Sequence, residues 1–170
     1  MELTTFIRDI PDFPKPGVLF KDITPLLNDY KATRYVVDQL YEFSSGKNID
    51  RVVAMESRGF FFGMLLAERL QCGFVPVRKP GKLPAETITE DYSLEYGTNS
   101  LQMHTDAIQP GERVLIHDDV LATGGTAKAA CDLVERLGGE VIQLNFLMEL
   151  TFLKGAELLK GRSIESLLQY

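Results

Sequence analysis

Short, almost wholly apolar runs that alternate with helix-patterned stretches constrain this chain more than any other feature. The first is Arg51-Val52-Val53-Ala54-Met55, the second Phe74-Val75-Pro76-Val77 and the third Arg113-Val114-Leu115-Ile116-His117, and a longer one lies within 140–150. Strands that are apolar on both faces need cover on both faces, which only a parallel sheet between helices supplies. The stretches between fit that role. Residues 60–70 are apolar on nearly every side until Glu68-Arg69, as expected of a helix packed deep against a sheet, and Gly73 marks its end. Ala127, Ala130, Cys131, Val134 and Leu137 mark one face of another helix, stopped at Gly138-Gly139. Residues 32–45 follow helical spacing through Val36, Val37, Leu40, Tyr41 and Phe43. Pro76 cannot donate to a ladder, so its strand belongs at an edge or is irregular there. The fold class is α/β, with a mostly parallel twisted sheet flanked by helices.

At 170 residues there is room for one domain, and no linker or repeat divides it. Residues 1–27 contain Pro11, Pro14, Pro16 and Pro25, which excludes a regular helix and favours an extended segment. Residues 87–103 hold short β-like pieces around Glu95-Tyr96-Gly97-Thr98, the pattern of a hairpin or flap. No apolar run reaches the roughly 20 residues of a bilayer span, and the first residues lack a signal-peptide pattern. Cys72 and Cys131 form no disulfide framework and have no metal-ligand spacing, so both read as core residues of a cytosolic protein. A formal net charge of −6 argues against nucleic acid or membrane as a partner. One local exception stands out: Arg78-Lys79-Pro80-Gly81-Lys82 puts three positive charges in a turn directly after an apolar strand. A phosphate-rich ligand could reach them there.

The string from 114 to 126 carries the chemistry. Its apolar strand fixes the position of a loop, and Asp118 and Asp119 sit side by side at its end. Adjacent carboxylates repel each other and need donor-rich partners, such as vicinal sugar hydroxyls. Gly124 and Gly125 let the backbone turn and approach a ligand closely. Thr123 and Thr126 add hydroxyls, and the amides at the following helix start complete an anion cradle. A hydroxyl-binding carboxylate pair followed by a phosphate cradle describes ribose 5-phosphate. Neither G-x-x-x-x-G-K-[ST] nor a G-x-G-x-x-G after a strand is present.

The same string resembles the phosphoribosyl pyrophosphate signature of the type I phosphoribosyltransferases. Pro14-Lys15-Pro16-Gly17-Val18-Leu19-Phe20-Lys21-Asp22-Ile23-Thr24, Ser57-Arg58-Gly59-Phe60, the basic turn through Leu83-Pro84, and Ser93-Leu94-Glu95-Tyr96-Gly97 narrow the resemblance to the adenine-specific family. They occur in that family's order over nearly the whole chain. The resemblance implies the type I phosphoribosyltransferase fold over 1–170, with a small N-terminal hood (1–30) that binds the base and a flexible β-hairpin lid, the catalytic flap (85–105). It implies transfer of the phosphoribosyl group from phosphoribosyl pyrophosphate to adenine, giving AMP and pyrophosphate.

Carried over by motif, Ala122, Thr123, Gly124, Gly125 and Thr126 hold the 5′-phosphate, and Asp118 and Asp119 address the ribose. Ser57, Arg58, Arg78, Lys79 and Lys82 meet the pyrophosphate, with Arg58 and Lys82 acting in catalysis. Glu95 is the general acid/base for the purine proton, and Tyr96 packs in the closed lid. Phe20 stacks on adenine beside Lys21, and the backbone of Val18 and Leu19 reads its N1 and N6 edge. Mg²⁺ is the implied cofactor, carried by phosphoribosyl pyrophosphate and reaching Asp118 and Asp119 through water, with no direct protein ligand. A cytoplasmic homodimer is implied. The family often has a non-proline cis peptide at the position of Glu56-Ser57. Two residues depart from its common pattern: Lys21 stands where arginine is frequent, losing the planar fork, and His117 replaces an aliphatic residue, reading as a sheet-face side chain. Two rival readings remain: a non-catalytic regulator of the same fold, disfavoured by the acidic charge and the retained Glu95, and an enzyme for another base.

Overall fold

The computed structural model describes residues 1–94 and 97–170. After a 3-10 turn at Leu3–Phe6, β1 (Arg8–Ile10) and β2 (Phe20–Asp22) pair antiparallel as a small separate sheet. Helices α1 (Thr24–Asn28) and α2 (Tyr30–Ser44) follow, α2 capped by the Asp29 side chain, which accepts from the Ala32 amide at 2.8 Å. Next come β3 (Arg51–Met55), α3 (Gly59–Leu70) and β4 (Gly73–Val77). The hairpin β5 (Thr87–Leu94) and β6 (Gly97–His104) is antiparallel, and β7 (Arg113–Leu121), α4 (Gly125–Arg136) and β8 (Glu140–Glu149) resume the alternation. A 3-10 turn (Thr151–Leu153), α5 (Gly155–Leu158) and β9 (Ile164–Gln169) complete the chain.

The main sheet has the order β4-β3-β7-β8-β9, parallel throughout. Pro76 lies in the edge strand β4, where its missing donor is harmless. Successive residues of a strand feed different cores. Val53 and Ile116 pack with α4 residues such as Cys131 and Val134, whereas Val52 and Leu115 pack with Val36 and Leu40 of α2 and Phe62 and Leu66 of α3. That is the two-sided cover the apolar strands demanded. The chain leaves β3 for β4 on one side and returns to β7 on the other. The carboxyl ends of β3 and β7 therefore form the topological switch point, where open α/β sheets bind ligands.

Several expectations shift. The proline-rich segment does hold a helix, because Pro25 falls in the first turn of α1, where no intrahelical donor is needed. Gln71, at φ 56, provides the left-handed cap of α3, and Gly73 instead opens β4. The helix α3 is not buried all round: Phe62 and Leu66 face the core, whereas Phe61, Met64 and Leu65 are exposed. Strand β7 runs on past His117 through Asp118 and Asp119 to Leu121. Strand β9 has no counterpart in the sequence reading.

Candidate active site

At the switch point, the turn from β3 to α3 carries Glu56, Ser57 and Arg58, and the Glu56-Ser57 peptide is cis. Gly59 then begins α3 directly against β7: a Cβ there would stand 2.7 Å from Asp118 Oδ1 and 3.2 Å from the His117 carbonyl oxygen. Glycine at this position lets the helix start beside the carboxylate pair.

Asp119 is buried and Asp118 partly so, with Asp118 Oδ1 accepting from the Asp119 amide at 2.9 Å. Burial, then the neighbouring Asp119 charge, push the Asp118 carboxyl well above the usual carboxylate range. Burial also raises Asp119, with Arg58 pulling the other way. Arg58 Nε lies 2.9 Å from Asp119 Oδ2. The same guanidinium donates to the Lys21 carbonyl at 3.3 Å and stands over the Phe20 ring at 4.8 Å. Arg58 thus ties segment 20–21 to the Asp118-Asp119 pair, rather than to the basic turn.

The basic turn is gathered around Glu56. Its carboxylate accepts from Arg78 Nε at 3.3 Å, from the Lys79 amide at 3.1 Å and from Lys82 Nζ. Burial alone would raise the Glu56 carboxyl, but these donors outweigh it and hold it below its ordinary value. Strand β6 fixes the turn from behind, since Arg78 and Gln102 exchange backbone bonds and Gln102 Oε1 accepts from the Gly81 amide at 3.0 Å.

Gly124 has φ +83 and is followed directly by α4, whose first amides have no side-chain cap. A small cavity of about 60 Å³ lies here, lined by Ala122, Thr123, Gly124 and Thr126. Beside it opens a cleft of about 580 Å³. Val18, Leu19, Phe20, Lys21, Ser57, Arg58, Lys79, Asp118, Asp119, Ala122 and Thr126 all line that cleft, and so do Tyr92, Asn99, Leu101, Val120 and Leu150, which the sequence reading did not single out. Tyr92 alone among these had a signal, as an aromatic residue in the hairpin; the others are ordinary strand residues until the fold aims them. Arg78 and Lys82 are not among the lining residues but pair with Glu56, which is. Glu95 and Tyr96 lie outside the described residues.

Two departures noted in the sequence find a place. The Lys21 side chain turns to Asp9 at 2.7 Å and to the Tyr170 ring at 3.9 Å, leaving its carbonyl to Arg58. His117 is fully buried, with Nδ1 2.7 Å from Asn145 Oδ1, and desolvation lowers its pKa to about 4. It is a neutral sheet-face residue.

A family model described as "Phosphoribosyl transferase domain" matches residues 25–162. The chain is 61% identical to adenine phosphoribosyltransferase of Flavobacterium johnsoniae, with all of both chains covered, and 58% identical to that of Christiangramia forsetii, covering 100% of this chain and 99% of the relative. This chain belongs to the adenine phosphoribosyltransferase family. The crystal structure of the Thermoanaerobacter pseudethanolicus adenine phosphoribosyltransferase superposes with a TM-score of 0.98 at 56% identity, over 99% of this chain and 98% of that one. The Saccharomyces cerevisiae adenine phosphoribosyltransferase, solved with an imino-altritol bisphosphate and adenine, gives 0.90 at 41% identity, covering 96% and 94%. The chain is accordingly a transferase of the adenine phosphoribosyltransferase family, whose reaction joins adenine to the phosphoribosyl group of phosphoribosyl pyrophosphate and yields AMP and pyrophosphate.

Proposed function

We propose that this chain carries out that transfer in the 580 Å³ cleft, with each part of the substrate pair taken by a separate element. The observation that carries the proposal is the meeting there of three segments far apart in sequence: 18–21, 56–58 and the stretch 118–126. The loop and the start of α4 hold the 5′-phosphate, and Asp118 and Asp119 accept from the ribose hydroxyls. The turn 78–82, Ser57 and Arg58 face the pyrophosphate. Departure of pyrophosphate leaves an oxocarbenium-like sugar, so catalysis rests on positioning and on stabilising the departing polyanion. Arg58 and Lys82 supply fixed positive charge, and Glu56 sets where Arg78 and Lys82 stand.

Phe20 stacks on the base. The Val18 amide already donates to the Lys15 carbonyl at 3.3 Å, and its carbonyl accepts from the Phe13 amide at 3.2 Å. Readout of the N1 and N6 edge therefore falls chiefly on the Leu19 backbone. Segment 1–30 acts as the hood and 85–105 as the lid, both within one domain. Glu95, between β5 and β6, handles the purine proton, and Tyr96 closes beside it.

Mg²⁺ belongs to the substrate rather than to a protein cage. Asp119 Oδ2 has an ion pair but no hydrogen bond, so it can accept from a water ligand of an ion that the substrate brings. When bound, the ion neutralises the pyrophosphate charge.

The exposed face of α3, with Phe61, Met64 and Leu65, and the nearby Tyr30 and Tyr41 around a concavity of about 630 Å³ form the surface for a homodimer. No helix among the described residues is long and apolar enough to cross a membrane. Two free thiols, Cys72 and Cys131, suit a reducing cytoplasm. The test is direct: purified protein, phosphoribosyl pyrophosphate, Mg²⁺ and each of adenine, hypoxanthine, xanthine and a pyrimidine, followed for nucleotide formation. AMP from adenine alone is expected, and its absence overturns the proposal.

A further inference from the structure

Behind the phosphate loop, two stretches of backbone meet with no side chain between them. A Cβ on Gly155 would overlap the Ala122 carbonyl oxygen and stand 3.0 Å from the Gly124 nitrogen. From the other side, a Cβ on Gly124 would overlap the Gly155 carbonyl oxygen and stand 3.3 Å from its Cα. Gly124 needs glycine in any case for its φ of +83, but Gly155 has no left-handed φ, so only the close approach calls for glycine there. The backing segment is itself held at both ends. The Leu150 amide donates to the Leu121 carbonyl at 2.9 Å, and Thr151 donates to the Tyr170 carbonyl through its amide at 2.9 Å and its hydroxyl at 2.7 Å. Leu159, just past α5, is buried in the core beneath α4. The result is a rigid backstop that ends against the one loop whose amides must be aimed at an anion.

We infer that Gly155 is a positioning residue for the 5′-phosphate loop, setting the direction of the Gly124–Thr126 amides before ligand arrives. The inference rests on the reading that 122–126 hold the 5′-phosphate. A methyl at 155 must push the loop toward the cavity of about 60 Å³ where the phosphate would sit. A misplacement near 1 Å in such a site costs on the order of 10- to 100-fold.

Gly155→Ala is therefore expected to weaken ribose 5-phosphate binding and raise KM for phosphoribosyl pyrophosphate by about 10- to 100-fold, with KM for adenine unchanged. Turnover at saturating phosphoribosyl pyrophosphate should stay within about threefold. Equal losses for both substrates, or a lower melting temperature with no ligand-selective change, would overturn the inference. Thr126→Ala serves as the control for the underlying reading. If it leaves ribose 5-phosphate binding intact, the phosphate assignment fails; if it weakens binding and Gly155→Ala does not, the backstop alone fails. Should Gly155→Ala not fold, Thr151→Val removes one exposed hydrogen bond of the backstop. It should weaken ribose 5-phosphate severalfold and spare adenine, and unchanged binding counts against the proposal.

Discussion

At the scale of single residues, Arg58 decides the state of the carboxylate pair. It is the opposing charge beside two carboxyls raised by burial, and its contact to Asp119 is 2.9 Å. A protonated carboxyl accepts poorly from a ribose hydroxyl, so binding of phosphoribosyl pyrophosphate should fall on acidification as the pair takes up a proton. Arg58→Met removes the charge that holds the pair down, and the acid limb of kcat/KM should move to higher pH. A pH–rate profile of both forms checks this, and an unmoved limb separates Arg58 from the pair. His117 has the opposite relation to pH. Its folded value is about 4 against an ordinary 6.5, so between those values the unfolded chain binds a proton that the folded chain refuses. Its contribution is complete above pH 6.5 and is lost as pH falls toward 4, by roughly 3 kcal/mol. The raised carboxyls of the Asp pair titrate with the reverse sign, so the comparison with His117→Gln isolates the histidine. Urea midpoints should lose more on acidification in the parent protein than in the variant.

At the scale of elements, the hairpin β5–β6 is anchored to α4 and its leading loop on one side and to the basic turn on the other. Arg136 of α4 donates to the Thr89 carbonyl at 2.6 Å and pairs with Glu90 at 2.8 Å, and Thr126 at the start of α4 contacts the Tyr92 hydroxyl at 3.4 Å. On its other side Gln102 holds the basic turn. On the proposed reading of 85–105 as the lid, these bonds couple it to the groups that hold substrate. Glu95→Gln should lower kcat by about 100-fold or more while leaving the Kd for phosphoribosyl pyrophosphate within about threefold. Turnover equal to the parent would remove Glu95 from the proton transfer.

At the scale of the whole molecule, the apolar face that α3 turns outward is the feature most in need of a partner. Phe61 is 48% exposed, Met64 55% and Leu65 42%, in one helix whose other face is core. An isologous homodimer would bury such a patch. Leu65→Asp is expected to shift the protein from dimer to monomer in analytical ultracentrifugation, and an unchanged sedimentation coefficient would place the interface elsewhere.

Much of this was legible in the chain alone, for physical reasons that are local. Apolar runs of period-independent hydrophobicity can satisfy themselves only between helices, so the parallel sheet followed from sequence, His117 read as a sheet-face residue, and Pro76 was confined to an edge or an irregular strand, of which the structure shows the edge. The string at 114–126 carried its own chemistry, because adjacent carboxylates and paired glycines are costly unless a ligand uses them. Other features depend on contacts between residues far apart in sequence. Glu56 lies about twenty residues from the cations it gathers, and Gly155 about thirty from the loop it backs. Nothing in the pattern around Gly155 distinguishes it from an ordinary turn glycine, and the exposed Phe61, Met64 and Leu65 of α3 look no different in sequence from the buried Phe62 and Leu66. Sequence determined which groups could bind a phosphoribosyl ligand. Tertiary structure alone decided which backbone stands behind them and which apolar face is left uncovered, since close approach and exposure are properties of packing.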